Sequence, residues 1–355
     1  MTATSSTSDA IGQPPGVVVP VDRLRACVLR ALAGSGIGAD AAAAQADMLI
    51  EGNLRGRPSH GVQRLPTLIQ RIRAGLAQAT QKPDLNWRTE SLLVVDGRRG
   101  LGPVVGTVAL KAAIERCQES GVVIVAMRNV NHLGMLAPYV ESAARQGRIG
   151  IGFTTSEALV HAWGGREPLI GTNPIAVGIP GAPEPVVLDM ATSQISAGQI
   201  IDHRARDLPL PVGAAVDRHG VPTTDPEQAI EGALSPFGGA KGYGLGLAIE
   251  LLVAALTSTA TGKKVLGTLD SDHPSSKGDV FVVVDPAVAD PDWNPDRFAA
   301  YLGQIRSSGS TSEDVLIPGD GARARRARAM ADGITLPTDL WAAIRELAAG
   351  EDTRR

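Results

Sequence analysis

The segment Gly238-Gly239-Ala240-Lys241-Gly242 most constrains what this chain can fold into, because it joins a glycine-rich turn to a long apolar run. Glycines let backbone N–H groups approach a ligand closely, and Lys241 adds a positive charge. The run from Leu245 to Leu256 is apolar on nearly every face and predicts a buried helix. A helix N-terminus beside a lysine suits a phosphate or carboxylate; a turn that only lets the helix pack is the alternative.

The size and composition of the chain argue against several classes of protein. At 355 residues it exceeds one ordinary hydrophobic core, so two domains are expected. A formal net charge of −3 and an aromatic content of 3% argue against a nucleic-acid partner. Cys27 and Cys117 lie in apolar-periodic segments without a CxxC partner, so we expect buried free thiols and a reducing compartment.

The N-terminus has no feature of an export signal. It is rich in Ser, Thr and Pro and lacks a basic start and an apolar run, which predicts a disordered tail over 1–18. No segment reaches the ~18 consecutive apolar residues of a membrane span. We therefore expect a soluble, cytoplasmic protein with no membrane partner.

Apolar periodicity divides the rest of the chain. Helical spacing at 21–33, about 40–53 and 62–76 predicts an N-terminal helical region, and at Pro83 the pattern changes to short strands alternating with helices. The later strands are predicted at 92–95, 122–126, 149–154, 175–179, 186–190 and 281–284, and the later helices at 104–117, 135–144, 298–305 and 339–348.

A glycine pattern after the first of these strands imitates a dinucleotide-binding fingerprint. Gly100-Leu101-Gly102-Pro103-Val104-Val105-Gly106 has one extra residue before its last glycine and a proline inside the turn. The acidic residue that should end the next strand is missing, because that strand ends Ala126-Met127-Arg128-Asn129. We therefore interpret the motif as a tight strand-to-helix turn and not as a Rossmann site.

Candidate chemistry begins at His60 and Arg64. If their segment is helical, residues four apart project from one face. A histidine can give or take a proton near neutral pH, and an arginine fork can hold a carboxylate by two hydrogen bonds. Together they would suit a carboxylic acid substrate in which an oxygen next to the carboxylate gains or loses a proton. The alternative is that Ser59 caps a surface helix and that His60 and Arg64 are both solvated.

Two further residues are compatible with such a site. His132 lies between a strand and a helix, where α/β folds commonly bind ligands, although a structural histidine fits equally well. Asp189 ends an apolar run, so we expect a partly buried carboxylate that needs a partner, and a histidine is an obvious one. The spacing does not identify that partner. No metal-ligand spacing occurs, so no metal site is expected.

Eight segments, in this order, resemble the type-2 malate/L-lactate dehydrogenase family over nearly the whole chain. That family includes malate, sulfolactate and ureidoglycolate dehydrogenases, diketogulonate reductase and cyclic-imine carboxylate reductases. Each segment is short, but all eight in register are specific. They are Ser59-His60-Gly61-Val62, Asn131-His132-Leu133-Gly134, Gly164-Gly165, Gly171-Thr172-Asn173-Pro174, Asp189-Met190-Ala191-Thr192-Ser193, Thr223-Thr224-Asp225-Pro226, Gly238-Gly239-Ala240-Lys241-Gly242 and Ile317-Pro318-Gly319.

The resemblance implies an α+β fold. A non-Rossmann NAD(P)-binding domain on a mostly antiparallel sheet would cover 83–239. A helical, substrate-binding domain would combine the N-terminal segment 19–82 with the C-terminal segment 240–355. The resemblance also implies a homodimer with active sites at domain and subunit borders. No basic residue follows Ile179-Pro180, which slightly favours NAD over NADP.

Matching motifs give the site residues that the resemblance implies. His60 would be the proton donor or acceptor at the substrate oxygen, oriented by Ser59 and Asp189, with His132 as its main rival. Arg64 would hold the substrate carboxylate, beside His132 and Thr155. The residues expected to contact the dinucleotide are His132, Leu133, Gly134, Gly171, Thr172, Asn173, Ala240, Lys241, Pro318, Gly319 and Asp320. Thr155 and Asp320 depart from the family pattern, so the substrate stays open.

The implied function is reversible hydride transfer between nicotinamide C4 and C2 of a small 2-hydroxy or 2-oxo acid of the malate, lactate or sulfolactate type. A reductase of cyclic imino acids, such as piperideine- or pyrroline-2-carboxylate, is the alternative. A Ser-His-Asp hydrolase using Ser59, His60 and Asp189 is a third interpretation. Its geometry is poor because the serine and histidine are adjacent and no GxSxG elbow exists.

Overall fold

The structure, a computed structural model, describes residues 16–310 and 315–350. Its helices are α1 (Val21–Ala33), α2 (Ala39–Leu54), α3 (Leu65–Arg73), α4 (Gly102–Ser120), α5 (Ala137–Arg145), α6 (Ala197–Ala205), α7 (Pro226–Glu231), α8 (Ala240–Thr257), α9 (Pro286–Ala289), α10 (Ala299–Arg306), α11 (Asp320–Asp332) and α12 (Thr338–Ala349). Its strands are β1 (Gly16–Val19), β2 (Asp84–Thr89), β3 (Leu92–Gly100), β4 (Val122–Val130), β5 (Ile149–Thr154), β6 (Val160–His161), β7 (Pro168–Ile170), β8 (Ile175–Ile179), β9 (Val186–Met190), β10 (Ala215–Val216), β11 (Pro222–Thr223), β12 (Ala233–Leu234), β13 (Asp279–Val284) and β14 (Ile334–Pro337).

A seven-stranded sheet forms the centre of the larger core, in the order β2-β3-β4-β13-β5-β8-β9. β3 and β4 run parallel and are joined by α4, whereas the other neighbouring pairs of this sheet are antiparallel. α4 and α5 cover the sheet with apolar side chains around Phe281 and Tyr139. The protein therefore mixes helices and strands and has a sheet-rich domain, as the resemblance implies.

The expectation that all of 240–355 belongs to the helical domain was wrong for two elements. β13 lies between β4 and β5 at the centre of the sheet, and α8 packs against the same three strands. The physical reason is the continuous apolar run of β13, which is largely buried and suits a central strand rather than an edge.

A second core joins the two ends of the chain. α1, α2 and α3 pack with α12 around Leu24, Leu65 and Ile344. β1 pairs antiparallel with β14, so the expected tail over 1–18 was wrong at its end, and residues 1–15 lie outside the described part. Val17 and Val19 pack on this core, and the strand gains ladder hydrogen bonds in the pair. Cys27 and Cys117 are free and buried, as predicted.

The expectation of a buried helix was wrong for one face of α8. One face of α8 packs on the sheet, but on the other face four leucines stay exposed, with Leu251 56% accessible. By length and composition alone, α8 is the one helix of the described residues that could cross a membrane. Its buried Glu250 carboxylate accepts hydrogen bonds inside the protein from Gly171 and Asn173, as expected of a helix packed on a core.

A five-stranded sheet, β11-β10-β12-β6-β7, surrounds a small core containing Val160, Ile170 and Leu234. A bridge between Ser193 and Pro236 connects it to the segment that follows β9. Beyond the bridge, the Phe237 N–H donates to the Thr192 carbonyl at 3.0 Å, and Phe237 and Gly238 lie on a cavity wall described below.

Candidate active site

Two short 3-10 turns, Pro58–His60 and Val62–Arg64, replace the continuous helix considered for this segment. Gly61 separates them with extended backbone, and a Cβ there would lie 2.1 Å from Asn53 Oδ1. That oxygen accepts the Val62 N–H at 2.8 Å, so only glycine allows the close approach to α2. Both side chains still reach one cavity, although by a different backbone path from the one expected.

The His60 imidazole lies between a hydroxyl and a second imidazole. Its Nδ1 is 3.1 Å from Ser59 Oγ, and its ring centroid is 5.5 Å from that of His132. Burial, followed by the positive charges of Arg64 and Arg57, lowers the pKa of His60 to about 4. The ring is therefore neutral at neutral pH and can accept a proton.

The His132 imidazole is fixed by its own loop. The Gly134 N–H donates to His132 Nδ1 at 3.0 Å, so the neutral ring carries its proton on Nε2. Gly134 has a φ of +83°, which favours glycine, and a Cβ there would lie 2.4 Å from Met48 Cγ. Burial and the charge of Arg64 hold the pKa of His132 well below its usual value. The cavity thus contains two uncharged imidazoles side by side.

The Arg64 guanidinium supplies a positive charge to this cavity. It donates a hydrogen bond to the Thr268 carbonyl, in the loop before β13. The Glu157 carboxylate fixes the same loop by accepting the N–H groups of Thr268 at 2.8 Å and Leu269 at 2.9 Å. Burial lowers the pKa of Arg64 to about 10, and Glu157 opposes the shift, so the group stays charged at neutral pH.

Asp189 lies on the cavity wall, but its hydrogen bond differs from the expected one. Its Oδ2 accepts the Ala137 N–H at 2.8 Å, at the first residue of α5. Burial raises its pKa, and the backbone hydrogen bond opposes the rise. The suggested histidine partner was therefore wrong for this structure, because a helix N-terminus offers a free N–H to the carboxylate. Asp189 fixes α5 beside His60 without bonding to it.

Two adjoining cavities meet at His60. The larger has a volume of about 510 Å³, and its wall includes Arg57, Ser59, His60, Gly134, Thr172, Asp189 and Gly238. The smaller has a volume of about 120 Å³, and its wall includes His60, Arg64, His132, Leu133, Thr155 and Lys277. The structure therefore brings together His60, Ser59, Asp189, Arg64, His132, Thr155, Leu133, Gly134 and Thr172.

Two expected dinucleotide contacts have internal roles instead. Asn173 is 0% exposed, and its side-chain amide donates to Gly246 O and to Glu250 Oε2. The Gly171 N–H donates to the same carboxylate oxygen. The Asn173 amide therefore serves the buried Glu250, which needs these donors, and its expected contact with the dinucleotide stays a prediction.

The remaining expected contacts lie outside both cavity walls. Ala240 and Lys241 are the first residues of α8, and both are exposed. Pro318, Gly319 and Asp320 lead into α11 at the β9 edge of the large sheet, where Val187 N–H donates to Pro318 O at 3.1 Å. Asp320 is ion-paired with Arg306 and Arg323.

The sequence interpretation missed a buried ion pair at the small cavity. Lys277 and Asp279 are 2% and 0% exposed, and the Lys277 ammonium lies 2.5 Å from both carboxylate oxygens. Two charged residues spaced i, i+2 at the start of an apolar strand were the available signal. In the residues that the structure describes, no three His, Cys, Asp or Glu side chains form a metal-binding group.

Comparison with known proteins gives relatives over nearly the full length of the chain. The family model for malate/L-lactate dehydrogenase matches residues 19–345. The chain is 33% identical over 333 residues to the malate/(S)-sulfolactate dehydrogenase of Methanothermus fervidus, which covers 94% of this chain and 97% of that protein. It is 32% identical over 330 residues to Delta(1)-pyrroline-2-carboxylate reductase 1 of Burkholderia ambifaria, with coverages of 92% and 96%.

A solved structure has the same fold. The crystal structure of a dehydrogenase from Sinorhizobium meliloti matches with a TM-score of 0.91 at 50% sequence identity. The match covers 94% of this chain and 99% of that chain.

Proposed function

The chain belongs to the malate/L-lactate dehydrogenase family, and we propose that it is an NAD(P)-dependent enzyme acting at C2 of a small 2-hydroxy or 2-oxo acid. One observation carries this proposal: His60, His132 and the Arg64 guanidinium line a single small cavity. A proton acceptor beside a carboxylate-binding cation is what oxidation of a 2-hydroxy acid requires.

We assign the dinucleotide to the larger cavity. Its volume of about 510 Å³ is in the usual range for a ligand site. Backbone at Gly134 and Leu136 forms part of its wall, and the Arg57 cation would suit a phosphate. Because no cation follows Ile179-Pro180, a slight preference for NAD remains our proposal.

The residues of the chain then have separate tasks. The bound nicotinamide would take up or supply the hydride. In oxidation, His60 takes the hydroxyl proton of the substrate, while Ser59 at Nδ1 holds the ring. Arg64 binds the carboxylate by the N–H groups that Thr268 does not occupy, and Thr155 lies on the wall beside the substrate. Asp189 acts through α5, whose first N–H it binds.

Cyclic imino-acid reduction is the second candidate, and the resemblance to a pyrroline-2-carboxylate reductase favours it. The same carboxylate clamp would hold the imino acid, and His60 in its protonated form would supply the proton to the imine nitrogen. Two contacts disfavour a Ser-His-Asp hydrolase. Asp189 bonds to Ala137 rather than to His60. Ser59 lies at His60 Nδ1, the ring nitrogen that bonds to the aspartate in a catalytic triad.

A spectrophotometric screen tests the proposed function. Purified protein is mixed with NADH or NADPH and, in turn, pyruvate, oxaloacetate, sulfopyruvate or piperideine-2-carboxylate. We expect coenzyme oxidation with at least one 2-oxo acid. Turnover of the imine alone would establish the second candidate. Coenzyme binding without turnover of any compound would contradict the proposed activity and indicate a binding protein.

A homodimer would cover the exposed leucines of α8. Leu245, Leu251, Leu252 and Leu256 are 37–56% exposed in the single chain, an apolar face typical of an interface. Light scattering should give twice the mass of the chain, and Leu251→Glu should yield monomer; a monomeric wild type would contradict the proposal.

A cytoplasmic location also remains a proposal, which cell fractionation would test.

A further inference from the structure

The Lys277–Asp279 pair is the charged feature of the small cavity for which the proposed mechanism has no use. The two residues are spaced i, i+2 where β13 begins, and their side chains meet in an ion pair. Gly278 between them is held to Thr155: its N–H donates to Thr155 Oγ1, and its carbonyl accepts the Thr155 N–H, both at 3.1 Å. The pair is therefore fixed to a residue on the cavity wall.

Stability does not account for this pair. Burying an ammonium and a carboxylate costs desolvation energy, and apolar residues of similar volume often stabilise a core as well or better. The pair lies beside the ligand cavity: Lys277 forms part of its wall, and the Lys277 charge contributes to the lowered pKa of His132. A role in ligand binding is a better explanation.

The ammonium retains capacity for a ligand. A lysine has three N–H donors, and the two oxygens of Asp279 account for two of them. Arg64, the other cation of this cavity, also lies close enough to His132 to lower its pKa. The cavity thus presents two cations around one imidazole, and the nearby carboxylates, Glu157 and Asp279, already accept hydrogen bonds.

We propose that Lys277 is a specificity-determining residue that binds a second acid group of the substrate, a carboxylate or a sulfonate, while Arg64 binds the C1 carboxylate. The inference rests on the proposed function and narrows its substrate to dianionic acids. The cavity of about 120 Å³ adjoins the larger cavity of about 510 Å³ at His60, so a dianionic substrate is not confined to the smaller volume. Asp279 balances the lysine charge while the site is empty.

The test compares kcat/KM for oxaloacetate, sulfopyruvate and pyruvate, which differ in the second acid group. A Lys277→Met/Asp279→Met double variant removes both charges, so no lone buried charge threatens folding. We expect kcat/KM for the better dianion, divided by kcat/KM for pyruvate, to fall at least about 10-fold in that variant. Whichever of oxaloacetate and sulfopyruvate has the higher kcat/KM in the wild type shows whether the second acid group is a carboxylate or a sulfonate.

The control is Lys263→Met, because Lys263 forms an exposed ion pair with Glu167 and should leave the ratio unchanged. Thermal unfolding confirms that each variant is folded. A folded double variant with the wild-type ratio, or with equal losses for all three acids, overturns the role of Lys277. A wild type that reduces none of the acids refutes the proposed function itself, so the two failures are distinguishable.

Discussion

Replacing His60 by alanine is expected to lower kcat by about 100-fold or more while coenzyme still binds. The residue lies where the two cavities meet, and its lowered pKa keeps it in the proton-accepting form at neutral pH. Alanine removes the proton acceptor and leaves the walls formed by Gly134 and Asp189. The loss should therefore fall on the chemical step and not on coenzyme affinity.

Steady-state rates, coenzyme titration and a pH profile of hydroxy-acid oxidation measure this effect. The neutral, active form of His60 persists down to a pKa of about 4, so wild-type kcat/KM should fall near that pH and not near 6.5. His161→Gln is the control, because this buried histidine bonds to Ser235 outside the small cavity. A near-normal rate in His60→Ala, with a large loss in His132→Ala, would transfer the proton-transfer role to His132.

Replacing Arg64 by alanine should raise the substrate KM at least about 30-fold, with a much smaller change in kcat. Truncating one partner of a buried, charged hydrogen bond costs about 2 kcal/mol or more, and 1.4 kcal/mol corresponds to a factor of ten. Arg64→Lys keeps the charge but loses the two-pronged geometry, so it should recover only part of the affinity. Added guanidinium should restore activity to the alanine variant.

The loop before β13 provides the matched control. Arg64 bonds to the Thr268 carbonyl, so its loss also loosens that loop. Arg71 bonds to the carbonyls of Asp270 and His273 in the same loop, without lining the small cavity. An Arg71→Ala variant with the same rise in KM would show that loop order, and not carboxylate binding, explains the Arg64 result.

Local pattern predicted the outline of the fold because periodicity reports burial within one element. The strand predicted at 281–284 corresponds to β13, but its central position depends on pairing with β4 and β5, far away in sequence. Similarly, the apolar face of α8 was expected to be buried. The sequence shows that α8 is apolar on nearly every face, but each face is buried only if another part of the protein packs on it. In the single chain only one face of α8 is covered.

The site was predictable where motif chemistry is local and unpredictable where partners are distant. His60, Ser59 and Arg64 lie close together in sequence, and all three reach the cavities. Asp189 bonds to Ala137 and Asn173 to Glu250, partners 52 and 77 residues away that no spacing rule supplies. Lys277 and Asp279 were missed because charges at the start of a strand usually face water, and their burial depends on the whole sheet.

A crystal structure with coenzyme and a non-reactive 2-oxo acid analogue tests the central proposal most directly. We expect the nicotinamide ring beside His60, the analogue carboxylate on Arg64, and the imidazole within hydrogen-bonding distance of the oxygen on C2. A nicotinamide ring bound far from both side chains in every subunit would contradict the proposed mechanism.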